Sequence, residues 1–263
     1  MATVHSADGT DIAFETQGSG PALILVDGAM CFRDSGPMRP LAEQLSSDFT
    51  VVLYDRRGRG ASGNTLPWSA EREVEDLAAL IDAVGGSACL YGMSSGGALV
   101  LNTAAQLRSR VTALVLFEPP YTGPDGRDDA LAYTAELGGL LAEGRRGDAA
   151  ELFMRRVGVP AEAIAGMRQS PWWAATEAIA PTLAYDDALM GDGTLPGDLL
   201  DRVSQPALVV DGGQVPFMSA AAQQLAAALS AGQHRSLGNQ GHDVAPEVIA
   251  PVIREFLGAH PGA

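Results

Sequence analysis

Cysteine and basic residues are scarce in this chain, and long apolar runs are missing. Only Cys31 and Cys89 occur among 263 residues, so no disulfide framework is predicted and a reducing, cytoplasmic setting is expected. Seventeen basic residues stand against 32 acidic ones, for a net charge of −15. Such a surface repels nucleic acid and anionic lipid, which excludes both as expected partners and favours a neutral small-molecule substrate. No run of 18 apolar residues and no signal-peptide pattern occurs, so no membrane span is predicted.

Short apolar runs alternate with helical patterns along most of the chain, which indicates strands and helices in turn. An Asp8-Gly9 turn predicts a hairpin between Thr3–Ser6 and Asp11–Gln17. The further predicted strands are Ala22–Val26, Thr50–Tyr54, Ala88–Tyr91, Ala113–Phe117, Ala207–Val210 and His234–Leu237. The alternation predicts an α/β fold with a mostly parallel central sheet flanked by helices.

Residues 121–202 interrupt this alternation. They contain helical patterns near Asp128–Glu143, Asp148–Val157, Ala161–Met167 and Trp172–Leu183, but no convincing strand. An insertion placed after a strand is expected to cover the carboxyl ends of the strands, where ligands bind in such sheets. We therefore predict a core domain of residues 1–120 and 203–263, and a helical cap domain of residues 121–202.

The most informative segment is Gly92-Met93-Ser94-Ser95-Gly96. It has the Gly-x-Ser-x-Gly spacing between an apolar strand and a helical run, which is typical of a nucleophile elbow. The two flanking glycines are needed because a Cβ at either position would collide with the neighbouring strand or helix. Ser94 is therefore the predicted nucleophile, with a plain turn between strand and helix as the alternative.

A serine hydroxyl needs a base, usually a histidine that an acid orients. His242 lies in a loop before the last predicted helix, where the histidine of this arrangement comes in chain order. The acid often follows the strand that corresponds to Ala207–Val210, but Val215 occupies the matching position. Glu118 and Asp211 remain as candidates. Glu118 is favoured because its strand follows the nucleophile helix and ends at the same sheet edge.

Further residues are predicted around these three. Gly28 or Ala29, together with the amide of Ser95, would supply the donors of an oxyanion hole. The loop at Arg56–Arg59 lacks the lysine and hydroxyl residue of a phosphate-binding loop, so it is interpreted as a solvated turn anchored by Asp55. Trp172 and Trp173 either pack the cap onto the core or form an aromatic wall of an apolar pocket. Loop residues expected to line the same pocket are Met30, Phe32, Phe217 and Met218.

Together these segments resemble the α/β-hydrolase superfamily over essentially the whole chain. Asp27-Gly28 stands where that superfamily usually has His-Gly, and Val215 stands in place of its usual acid. Both departures are similar to those of the fungal zearalenone lactonases. That resemblance implies Ser94, His242 and Glu118 as the triad and Trp173 as a substrate contact. Haloalkane dehalogenases with a similarly placed glutamate use an aspartate nucleophile, where this chain has Ser94.

The predicted function is hydrolysis of a carboxylic ester or lactone through an acyl-enzyme, without metal or cofactor. A zearalenone-type macrolactone is one candidate substrate. The alternatives on the same apparatus are a thioesterase, a C–C bond hydrolase and a cofactor-free lyase. A catalytically silent ligand-binding protein is an alternative of another class. The oligomeric state stays open.

Overall fold

Eight strands form one sheet in the computed structural model, which describes residues 1–260. The strands are β1 (Ala2–His5), β2 (Asp11–Gln17), β3 (Ala22–Val26), β4 (Thr50–Tyr54), β5 (Ala88–Met93), β6 (Val111–Phe117), β7 (Ala207–Gly213) and β8 (Gly232–Gln240). Their order is β1-β2-β4-β3-β5-β6-β7-β8. The β1–β2 hairpin is antiparallel and β2 pairs antiparallel with β4, while all later pairings in this order are parallel. The predicted mostly parallel sheet is confirmed.

Helices cover both faces of the sheet. On one face lie α2 (Ala70–Ala83), α3 (Ser95–Leu107) and α10 (Pro216–Ala228), and on the other lie α1 (Met38–Leu45) and α11 (Pro246–Gly258). The alternation of side chains along a strand separates two cores. In β3, for example, Ile24 packs with the α2 side and Leu25 with the α1 side. Because both faces are covered, the central strands are almost continuously apolar.

Residues 121–202 are helical and contain no strand. Their helices are α4 (Arg127–Ala142), α5 (Arg146–Arg156), α6 (Ala161–Arg168), α7 (Trp173–Ile179), α8 (Leu183–Met190) and α9 (Gly197–Leu200). The helical stretch predicted near Trp172–Leu183 is confirmed only over α7, and α8 after it was not predicted. A 3₁₀ turn at Ala180–Thr182 separates α7 from α8. Pro181 lies in that turn and has no amide hydrogen for a continuous helical ladder.

Within residues 1–260, no helix is both long enough and apolar enough to cross a bilayer.

Candidate active site

Ser94 lies at the sharp turn between β5 and α3. Its backbone has φ 55° and ψ −129°, a conformation that a non-glycine residue adopts only at an energetic cost. Its amide donates a hydrogen bond to the carbonyl of Phe117 at 2.9 Å, which ties the turn to the end of β6. The serine is half-buried. This is the strand–turn–helix geometry that the elbow motif predicts.

The two flanking glycines are required by close backbone contacts. A Cβ on Gly92 would lie 2.7 Å from the carbonyl oxygen of Gly96, and a Cβ on Gly96 would lie 2.4 Å from that of Val26. Gly92 therefore allows the helix, and Gly96 allows β3, to approach the turn. The predicted steric reason for both glycines is confirmed.

His242 and Glu118 are joined directly, although 124 residues separate them in sequence. The His242 Nδ1 lies 2.7 Å from Oε2 of Glu118, and the Gly212 amide donates to Oε1 at 2.9 Å. Glu118 is 1% exposed and has φ 46°, so the end of β6 turns its carboxylate inward under strain. A carboxylate only accepts hydrogen bonds, so Nδ1 carries the proton and Nε2 keeps its lone pair.

Asp211 bonds to a different histidine. Its Oδ2 lies 2.6 Å from Nε2 of His234, and its Oδ1 accepts from Ser219 at 2.6 Å and Ser236 at 3.0 Å. Burial raises the pKa of Asp211, but these hydrogen bonds outweigh it and leave the pKa below its usual value. Both oxygens are occupied, so the geometry favours Glu118 over Asp211 as the partner of His242. Val215 supplies no carboxylate and precedes α10.

Gly28 lies against the elbow. A Cβ on Gly28 would be 3.0 Å from Cβ and 3.7 Å from Oγ of Ser94, so a larger residue would press against the elbow. We call residues 27–31 the oxyanion loop. Gly28 is buried and Ala29 is half-buried. Ser95 begins α3, where the first amides of a helix have no partner within the helix. The structure thus places the predicted donor residues on both sides of Ser94.

The arginine-rich loop after β4 is buried, and its prediction as a solvated turn is wrong. Arg56, Arg57 and Arg59 are each at most 1% exposed. Each pairs with a buried carboxylate, and the shortest contacts run from Arg56 to Asp186, from Arg57 to Asp76 and from Arg59 to Asp186. The predicted anchoring by Asp55 is confirmed, because Asp55 accepts hydrogen bonds from the amides of Ala61 and Arg33.

Asp186 is the residue of this region that sequence reasoning missed. It lies on α8, 130 residues from Arg56. The signal available was the arginine-rich loop itself: three cations at the carboxyl edge of a buried strand require carboxylates. Glu73 and Asp76 come from α2, whereas the contact with Asp186 depends on how residues 121–202 pack, and no local pattern contains that information.

The predicted pocket residues separate into two groups. Trp173 is 8% exposed and packs in an apolar cluster with Tyr133 and Leu183, and this cluster contacts Ala29 and Met30 of the oxyanion loop. Trp172 is 79% exposed, so it forms no part of a buried wall in this conformation. Of the two tryptophans, Trp173 is therefore the one whose cluster contacts the oxyanion loop.

The remaining predicted lining residues lie on one loop and on α10, so Phe217 and Met218 are helical and not in a loop as predicted. Phe32 is half-buried and pairs with Ser35 in an isolated bridge. Phe217 is 50% exposed, Met218 is half-buried, and both lie in the first turn of α10. Phe217 borders a cavity of about 210 Å³ together with Tyr121 and Ala221. Contact of these residues with a substrate stays a prediction.

Residues 20–252 match the sequence model of the alpha/beta hydrolase family. The chain belongs to this family. An alpha/beta hydrolase from Sphaerobacter thermophilus is 49% identical, with a TM-score of 0.84 over 97% of this chain and 100% of that one. A thermophilic esterase from Thermogutta terrifontis, solved with malate bound, is 25% identical, with a TM-score of 0.75 over 98% of both chains. A 2-(acetamidomethylene)succinate hydrolase from Mesorhizobium japonicum is 27% identical over 92% of this chain and 90% of its own.

Proposed function

We propose that this alpha/beta hydrolase cleaves carboxylic esters or lactones, with Ser94 as the nucleophile. The observation that carries the proposal is the contact between His242 and Glu118 at 2.7 Å. This contact lies next to the strained serine turn, because the amide of Ser94 donates a hydrogen bond to the carbonyl of Phe117, the residue before Glu118. A buried carboxylate, an oriented imidazole and an elbow serine are the three parts of an activated nucleophile.

The proposed reaction has two halves. The Oγ of Ser94 attacks the carbonyl carbon while Nε2 of His242 takes its proton, and Glu118 stabilises the resulting imidazolium. The amides of Ser95 and of Gly28 or Ala29 hold the oxyanion. Collapse of the tetrahedral intermediate expels the alkoxide, and His242 donates to it the proton that came from Ser94. Water then attacks the acyl-serine with His242 as base, and the carboxylic acid and the free serine are released.

Apolar surroundings support a neutral ester or lactone as the substrate. Met30 of the oxyanion loop packs against the apolar cluster that contains Trp173. Arg56 and Arg59, the buried cations that contact the oxyanion loop, are already paired with carboxylates. The similarity to a thermophilic esterase supports ester chemistry. The resemblance of Asp27-Gly28 and Glu118 to zearalenone lactonases makes macrolactones the finer candidate.

A second candidate is hydrolysis of an acyl–nitrogen bond. The relative from Mesorhizobium japonicum is named for a substrate that carries an acetamido group. The same serine, histidine and oxyanion donors attack an amide carbonyl, and His242 would then protonate an amine leaving group.

The test is a substrate panel at one pH. It contains 4-nitrophenyl acetate, a six-membered lactone, a resorcylic macrolactone, an acyl thioester and an N-acyl enamine. We expect turnover of the ester and of at least one lactone by the wild-type protein, and none by Ser94→Ala. Ester and lactone turnover that survives in Ser94→Ala contradicts the proposal, as does activity confined to the acyl–nitrogen substrate.

A further inference from the structure

One buried carboxylate, Asp186 on α8, joins the insertion to both sides of the elbow. Its Oδ2 accepts from Arg59 Nη2 at 2.6 Å, and its Oδ1 accepts from Arg56 Nη1 at 2.7 Å and from Ser95 Oγ at 2.8 Å. Burial raises the pKa of Asp186, but Arg59 and Arg56 outweigh that effect and hold the pKa below its usual value. Asp186 is therefore ionised at neutral pH and occupied by three donors.

The two arginines also hold the oxyanion loop by its carbonyl oxygens. Arg59 Nη1 donates to the carbonyl of Gly28 at 2.5 Å and to that of Cys31 at 3.3 Å, and Arg56 Nη1 donates to that of Asp27 at 3.2 Å. A peptide group is planar and trans, so a fixed carbonyl also fixes the amide of the next residue, which points the opposite way. The amides of Gly28 and Ala29 are thereby directed away from the arginines.

The third donor, Ser95, belongs to the other side of the proposed oxyanion hole. Its hydroxyl bonds to Asp186 while its backbone amide stands at the start of α3, directly after Ser94. Thus the hydrogen bonds of one side chain lead to the residues that carry both sets of amide donors. Electrostatic stabilisation of an oxyanion depends on donors that are in place before the reaction begins.

From this geometry we propose that Asp186 is a positioning residue that aligns both sides of the oxyanion hole. The inference rests on the proposed function of the site. It makes transition-state stabilisation depend on the docking of α8, and so couples the helical insertion to the chemistry of Ser94. Asp186 touches no reacting atom and acts through Arg56, Arg59 and Ser95.

The direct perturbation is Asp186→Asn, which preserves the size of the side chain. An amide has one oxygen acceptor, so its NH₂ group must face one of the arginine donors. Arg59 or Arg56 then shifts, and the carbonyl of Gly28 or Asp27 loses its fixed position. A misplacement of about 1 Å costs up to about 10²-fold in rate. We expect kcat to fall by about 10- to 100-fold, with KM within about threefold of wild type.

Asp76→Asn is a matched control, because Asp76 on α2 pairs with Arg57 of the arginine-rich loop. Asp76 is 1% exposed and accepts two hydrogen bonds from Arg57, at 2.8 Å and 2.6 Å. The substitution therefore disrupts an equivalent buried pair. Within residues 1–260, the other hydrogen bonds of Arg57 go to Ser6, Asp8 and Arg72, and none reaches the oxyanion loop. We expect kcat of Asp76→Asn to stay within about threefold of wild type.

Two measurements report on the oxyanion hole directly. One is kcat with 4-nitrophenyl acetate, and the other is the second-order rate of labelling of Ser94 by a fluorophosphonate. A third variant, Ser95→Ala, keeps the backbone amide and the ion pairs but removes one tether. This variant replaces Asp186→Asn in the test if Asp186→Asn does not fold. Its labelling rate should fall by about three- to tenfold, which is less than the loss in rate when an oxyanion donor is removed altogether.

The proposal is overturned if Asp186→Asn and Asp76→Asn lose equal activity, if Asp186→Asn keeps the wild-type kcat and labelling rate, or if Ser95→Ala is labelled as fast as wild type. Failure of the proposed function looks different. A wild-type protein that is labelled but hydrolyses no ester or lactone refutes that function, and the labelling rates of the variants still decide the role of Asp186. A wild-type protein that is not labelled refutes both.

Discussion

Glu118→Gln is the substitution that tests the assignment of the acid. The wild-type carboxylate accepts from two donors, the imidazole of His242 at 2.7 Å and the amide of Gly212 at 2.9 Å. Glutamine has the same shape but offers one oxygen and one NH₂ group. If the oxygen faced His242, the NH₂ would oppose the Gly212 amide, and two buried donors in contact cost about 1–3 kcal/mol.

The favoured orientation therefore keeps the oxygen on Gly212 and turns the NH₂ group toward His242. Nδ1 must then accept a hydrogen bond, so the imidazole proton moves to Nε2. In that tautomer Nε2 cannot take the proton of Ser94. The variant also loses the negative charge that stabilises the imidazolium. We expect kcat to fall by about 10⁴-fold, equal to about 5 kcal/mol of barrier.

The assay compares Glu118→Gln with Asp211→Asn, using 4-nitrophenyl acetate at one pH after circular dichroism confirms that both variants are folded. Asp211→Asn disturbs the contacts with His234, Ser219 and Ser236, so its kcat should fall by less than about tenfold. The loss in Glu118→Gln should appear in kcat rather than KM, because the charge matters most once His242 is protonated. The reasoning is refuted if Asp211→Asn loses most of its kcat while Glu118→Gln keeps a kcat near that of wild type.

Three further predictions concern the nucleophile, the pocket and a buried acid. Ser94→Ala should abolish ester turnover, whereas Ser95→Ala should keep at least about a tenth of it, because alanine retains the amide of residue 95; equal losses in kcat would contradict this. Trp173→Ala should reduce kcat/KM for bulky aromatic lactones more than for 4-nitrophenyl acetate, because only a large substrate reaches the indole. Equal losses of kcat/KM for both substrates would show that Trp173 only packs the insertion. Burial, opposed by Arg59 and Arg56, raises the pKa of Asp27 from 3.8 to about 7. Between these values the unfolded chain releases a proton that the folded chain keeps, so this carboxyl makes the protein less stable as pH rises, by about 4 kcal/mol in all. Urea unfolding should therefore show Asp27→Asn gaining stability relative to wild type between pH 5 and pH 8, and a constant difference would contradict the assignment.

Local sequence patterns were sufficient for the sheet and the elbow. A continuous apolar run such as Ala22–Val26 has one plausible structure between two turns, and the strand has those bounds. Gly92 and Gly96 were predictable from the spacing of the elbow motif, in which Gly92 faces α3 and Gly96 faces the end of β3. The contact of Glu118 with His242 was also predictable, because parallel strands end at one edge of the sheet.

Contacts that depend on how residues 121–202 pack against the core were not predictable. The charged loop at Arg56–Arg59 suggested exposure, but its partner Asp186 comes from a helix about half the chain away. Arg57 meets carboxylates of the core, but burial of Arg56 and Arg59 also needs Asp186, which the docked insertion provides. The turn at Pro181 shows a similar limit, because the predicted helical stretch ended at Leu183, where α8 begins, and α8 itself was not predicted.

The central claim is that Ser94, and not its neighbour, is the activated nucleophile. The direct measurement is tandem mass spectrometry of the tryptic peptide from Glu73 to Arg108, after reaction of the folded protein with a fluorophosphonate. We predict an adduct on Ser94, none in Ser94→Ala, and slower labelling in Glu118→Gln. An adduct on Ser95, or no adduct in a protein that still hydrolyses esters, would contradict the account.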